Sequence, residues 1–139
     1  MRITEHPIGN DVVLGLQGKL TGLNATDVLE RTVDRLARAG RQRIVLDLDG
    51  VSMIDAGGLG SLAGACRASL RNLVTLRLVH VPRRIQTLIA LVRLTAVLAT
   101  FDSVEDALND RRSGTRLAPL EFMHLGDVTF LDDIRSRPQ

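Results

Sequence analysis

The chain has 139 residues, enough for one domain with a substantial core. Aromatic residues make up only 2% against 45% apolar overall, so that core is aliphatic. The formal net charge of +2 is small and the basic residues are scattered without aromatic partners, which argues against nucleic-acid binding.

No apolar run approaches the length of a bilayer span, so no membrane insertion is expected. The N-terminal residues Met1 to His6 lack the apolar centre of a signal peptide. A single cysteine, Cys66, excludes an internal disulfide and suits a reducing cytoplasm.

In chain order, Arg2 to His6 is a candidate strand and Pro7 to Asp11 a turn. Val12 to Leu20 predicts a second strand, closing an N-terminal hairpin. The periodicity of Ala25, Val28, Leu29, Thr32, Val33 and Leu36 predicts a helix over Asn24 to Ala39. Asn24 is its expected N-cap, with Asp27 completing a box-like arrangement, and Gly40 follows as a C′ residue.

The stretch from Arg43 to Leu70 organises the rest. Ile44 to Leu48 is a short apolar run with one acid in it, β-branched at its start and expected to leave the core at Asp49-Gly50. From Leu59 the period changes, with Leu59, Leu62, Ala63, Cys66 and Leu70 on one helical face. Asp55 is the expected N-cap of that helix. Gly57 and Gly58 fall in its first turn, where glycine is a poor helix former, and are expected to leave bare N–H groups open to close approach. Leu73 to Val81 alternates as a strand, and Pro82 is expected at the first position of a helix whose buried face is Ile85, Leu88, Ile89 and Val92. Ala96 to Phe101 predicts a last strand, and Ser103 to Asp110 a short capped helix. Strands alternating with helices predict an α/β fold.

Ile54-Asp55-Ala56-Gly57-Gly58-Leu59-Gly60 resembles the signature loop of STAS domains, the fold of bacterial anti-sigma factor antagonists. The family pattern reads Asp-Ser-Ser-Gly-Leu-Gly or Asp-Ser-Thr-Gly-Leu-Gly. Gly18-Lys19-Leu20 resembles the family's Gly-Glu-Leu element, and Ser103-Val104-Glu105-Asp106-Ala107-Leu108 its terminal helix. The resemblance covers about Met1 to Asp110. It implies a single STAS-like α/β domain over residues 1–110, with a mixed β-sheet of four to five strands covered by helices. Residues 111–139 are a C-terminal extension: a linker over Arg111 to Gly114, then a tail from Thr115. Leu117, Leu120, Phe122, Met123, Leu125, Val128, Phe130 and Leu131 make the tail too apolar for a disordered tag. It packs either on the domain itself or on a partner, and an exposed stripe of this size favours the domain.

In the family, the hydroxyl residue directly after the Asp is phosphorylated by a kinase that is also the anti-sigma factor. Here that position is Ala56, followed by Gly57, so no residue at the family position can carry a phosphate. The resemblance implies a non-enzymatic interaction module that docks on an anti-sigma factor with a histidine-kinase-like fold. Asp55, Ala56, Gly57, Gly58, Leu59 and Gly60 form its partner-binding loop, and Arg83 and Arg84 a basic rim. STAS domains that lack the serine also serve as ABC transporter subunits docking on the ATPase, which is the alternative. The residues leave both a monomer and a homodimer open.

A third reading is a small-ligand or nucleotide binder. Gly57-Gly58-Leu59-Gly60 lacks the Lys-Ser/Thr ending of a P-loop and the spacing of a dinucleotide fingerprint. Asp47 and Asp49 are paired carboxylates without a fixed nucleophile or base, and Asp47 is expected to hold a backbone group instead. His6, His80 and His124 are single and share no ligand spacing with Cys66, so no metal and no cofactor is expected.

Overall fold

The computed structural model describes residues 1–22, 27–93 and 98–109. A five-stranded mixed sheet of order β1-β2-β3-β4-β5 is its centre. β1 (Arg2–Ile8) pairs antiparallel with β2 (Asp11–Leu20), and Gly9-Asn10 alone forms the turn between them. The strand thus continues through Pro7, two residues beyond the expected end. β1 is an edge, where proline's missing N–H breaks no ladder.

The later strands are parallel. β2 is joined to β3 (Arg43–Ile54) by the segment carrying α1 (Val28–Arg38). α2 (Ala56–Arg71) connects β3 to β4 (Thr75–Val79), and α3 (Arg83–Leu91) connects β4 to β5 (Ala99–Phe101). α4 (Val104–Asn109) ends the described chain. The expected Asn24 cap and residues 96–97 of the last strand lie outside the described residues.

β3 corrects the expectation most. It does not leave the sheet at Asp49-Gly50 but runs on to Ile54, still paired with β2 through Leu20. Irregularities at Gly15/Gln17 and Gly18/Lys19 absorb the register change. Gly18 takes φ 100 there, a backbone setting that favours glycine. Gly50 is a close strand approach, since an added Cβ would lie 2.8 Å from the Leu16 carbonyl oxygen.

Smaller corrections concern helix ends. Asp27 itself stands at the N-cap of α1, at φ 65 and with no side-chain cap of its own, while the box expected of it with Asn24 lies outside the described residues. Gly40 does end α1 as expected, at φ 92, with Gly40 N–H donating to Ala37 O and Arg41 N–H to Leu36 O. Leu73 lies outside β4. It terminates α2 in the same way, at φ 57 and 93% exposed. Pro82 caps α3 instead of occupying its first turn. Ser103 caps α4, its hydroxyl accepting the Asp106 N–H at 3.1 Å.

The aliphatic core fills one face of the sheet. Leu14, Leu46 and Leu78 lie fully buried beneath Leu29 and Val33 of α1, Leu62 and Cys66 of α2, and Ile85 and Ile89 of α3. On the other face, Val13, Val45 and Val79 meet Ala107 of α4, with Phe101 alongside. α1 is fixed to α2 by ion pairs of Arg71 with Asp34 (2.9 Å) and Glu30 (3.4 Å), and of Arg67 with Glu30 (3.6 Å).

Candidate functional site

The site is the junction where β3 turns into α2. Ile54 is the last strand residue and is buried against the core. Asp55 then takes an extended backbone (φ −118, ψ −174), and its carboxylate faces the free N–H groups of the first helical turn. Its Oδ1 accepts the Gly58 N–H at 2.8 Å and the Gly22 N–H at 3.1 Å. The Asp55 carbonyl accepts from Leu59 N–H at 2.9 Å. One side chain therefore binds the helix start to the segment leaving β2.

The glycines have a more specific task than bare backbone. A Cβ on Gly58 would lie 1.9 Å from the Leu20 carbonyl oxygen, and one on Gly57 would lie 2.3 Å from Gly22 Cα. The close approach they permit is that of the chain's own β2 exit. Their N–H groups are not all bare either, since Asp55 holds that of Gly58.

The predicted loop residues separate by exposure. Asp55 is exposed, Ala56 and Gly57 are half-buried, and Gly58, Leu59 and Gly60 are buried. Leu59 belongs to the aliphatic core. The accessible face of the loop thus consists of Asp55, Ala56 and Gly57, while the other three shape it from beneath.

Arg84 of the expected basic rim donates to the Ser52 carbonyl, two residues before the end of β3. That contact brings the start of α3 to the edge of the site. Arg83 is exposed beside it. Between Ser52 and the loop, Met53 is 46% exposed. Neither Met53 nor Gly22 carries a sequence signal of its own; they become part of the site through the Lys19–Met53 and Leu20–Ile54 strand pairs.

Two hydroxyls flank the loop. Ser61 is buried, and its Oγ donates to Gly57 O at 3.2 Å. Ser52 is exposed. Asp47 does hold a backbone group, accepting the Asp49 N–H at 3.0 Å. The fold adds His80, whose Nδ1 lies 3.1 Å from the same Asp47 oxygen, a pairing invisible in the spacing. Burial pushes the Cys66 thiol up to about 12, so it is an inert core group. No group of three His, Cys, Asp or Glu among the described residues could hold a metal ion. No described helix is long and apolar enough to cross a membrane.

The STAS domain family matches residues 3–107. Solved structures share the fold at low identity. A putative anti-sigma factor antagonist from Thermotoga maritima superposes with a TM-score of 0.68 at 20% identity, covering 76% of this chain and 91% of that one. The anti-sigma factor antagonist SpoIIAA in its unphosphorylated form gives 0.60 at 16% identity, covering 79% and 96%. The murine anion transporter Slc26a9 gives 0.63 at 18% identity, covering 74% of this chain but only 18% of the transporter.

Proposed function

The chain belongs to the STAS domain family, and on that premise we propose that it is a non-enzymatic docking module of the anti-sigma factor antagonist type, working without serine phosphorylation. Its partner in this reading is an anti-sigma factor with a histidine-kinase-like fold, in the cytoplasm. Docking there releases a sigma factor by competition.

The observation that carries the reading is the state of the switch position. Ala56 stands there, half-buried, between the Asp55 cap and the Gly57–Gly22 contact. A phosphate at this position would set roughly two negative charges beside Asp55 and oppose docking by repulsion and desolvation. An alanine methyl gives the partner no such off-signal. Asp55, Ala56 and Gly57 form the docking face, with Met53 beside them and Arg83 and Arg84 as the rim for acidic groups.

The test is Ala56→Ser in the presence of the bound partner and ATP. Phosphate transfer to the new serine, with loss of the complex, supports a kinase-type partner. A stable complex with no transfer counts against it.

The second reading is a transporter subunit that docks on its ATPase through the same loop. The STAS-like portion of an anion transporter favours it. Co-purification with an ATPase in place of a kinase-like protein would select it.

A further inference from the structure

We infer that His80 is a positioning residue for the docking face: with Asp47 it clamps the β4–α3 turn to β3 and so sets where Arg83 and Arg84 stand. The functional half of this inference rests on the docking reading; the structural half does not.

The clamp follows from the register of two parallel strands. Val79 pairs with Asp47 of β3, so the next residue, His80, emerges beside the Asp47 side chain. Its Nδ1 lies 3.1 Å from Asp47 Oδ1, the oxygen that also accepts the Asp49 N–H at 3.0 Å. A carboxylate oxygen only accepts, so Nδ1 carries the proton. His80 also takes φ 53, a left-handed setting that any residue with a Cβ resists. Glycine would make this turn without strain. Histidine stands there instead, with its side chain on Asp47. A residue held in such a setting by its surroundings points to a task at that position.

A second contact lies farther along both elements. Arg84 donates to the Ser52 carbonyl of β3. Between the two contacts Val81 is buried in the core and Pro82 caps α3, while Gln86 Nε2 donates back to the Val81 carbonyl at 3.0 Å. Val81 and Ile85 set how deep α3 sits. The two polar contacts set its direction along β3. With the Arg84 contact alone, the start of α3 can swing about it. Arg83 is exposed at that start, so its reach toward an acidic group of the partner follows the direction of α3.

Two variants of the full chain test the inference. His80→Gly keeps the left-handed turn and removes the clamp. His80→Asn restores it, because asparagine tolerates that setting and its Nδ2 stands as many bonds from Cα as histidine Nδ1. Backbone residual dipolar couplings report the direction of α3 against β3. A hexaglutamate peptide, followed by the Arg83 and Arg84 side-chain NMR signals, probes the rim. We expect His80→Gly to turn α3 and weaken peptide binding about fivefold, the factor that one ordinary hydrogen bond corresponds to. His80→Asn should restore both. His80→Gly should melt close to the natural chain, since relief of the left-handed setting offsets the lost contact, so the weaker binding is not partial unfolding. Unchanged couplings or unchanged peptide affinity in His80→Gly, or a His80→Asn chain that behaves like it, would overturn the inference. No peptide response in the natural chain would fail the docking rim alone, because the couplings judge the clamp without it.

Discussion

Asp55 holds the backbone N–H of Gly22 at 3.1 Å, linking positions 33 residues apart in sequence. The same oxygen caps α2 through Gly58. The candidate docking face is therefore a joint product of the β2 exit and the α2 start, and its geometry depends on one carboxylate.

Replacing that carboxylate should loosen both. Asp55→Ala is expected to cost about 1–2 kcal/mol in urea denaturation, the upper range for a lost N-cap, because a second N–H is released with it. Asp55→Asn keeps an acceptor oxygen and should cost less. Equal losses for both variants would show that charge, not hydrogen bonding, matters at this site.

The loop should tolerate change at one position and resist it at another. Gly58→Ala drives a Cβ onto the Leu20 carbonyl and is expected to destabilise by about 1–3 kcal/mol or more through overpacking. Ala56→Ser is expected to stay within about 0.5 kcal/mol, as a small change at a half-buried position. Thermal melts of the two variants side by side check this.

Leu73 ends α2 in a left-handed setting with its side chain 93% exposed. Leu73→Gly removes the steric penalty and sacrifices almost no burial. Glycine's greater freedom in the unfolded chain offsets part of the gain. The expected net effect is a stabilisation of about 0.5–1 kcal/mol, seen as a higher urea midpoint with unchanged slope.

Stability should also depend on Asp34 in acid. Burial alone would raise its carboxyl, but hydrogen bonds from Asn72 and Arg71, and the Arg71 charge, hold it below the ordinary value of 3.8. The unfolded chain therefore binds a proton more readily than the folded one. The Asp34 contribution is fully present above the ordinary carboxylate range and is lost as pH falls through the folded value. Asp34→Asn should lower the urea midpoint near about pH 7 and flatten its fall toward about pH 3. An unchanged acid slope would remove Asp34 from the α1–α2 link.

Much of this architecture is legible in the residues. Aliphatic periodicity locates the helices, and Asp55 and Gly40 announce their ends because capping is a local interaction. What fails is whatever depends on a distant strand. Gly50 reads as a turn, yet pairing with β2 keeps it in β3. Leu73 reads as strand, yet the Leu73 and Val74 N–H groups close the α2 terminus on Leu70 and Ser69 carbonyls. In the site, the Asp55 cap is readable from sequence. The partners of Gly57 and Gly58 are not, because Gly22 and Leu20 reach them only through the β2–β3 register. His80 meets Asp47 for the same reason: β4 lies beside β3.

The central claim is that this STAS domain docks without a phosphorylation switch at position 56. The most direct test is affinity capture from the source lysate, with and without ATP, using the natural chain and Ala56→Asp. Mass spectrometry identifies the bound proteins. The account predicts recovery of a histidine-kinase-like anti-sigma factor by the natural chain, undiminished by ATP, and weak recovery by Ala56→Asp through like-charge crowding beside Asp55. Equal recovery by both chains, or a transporter ATPase in its place, would contradict it.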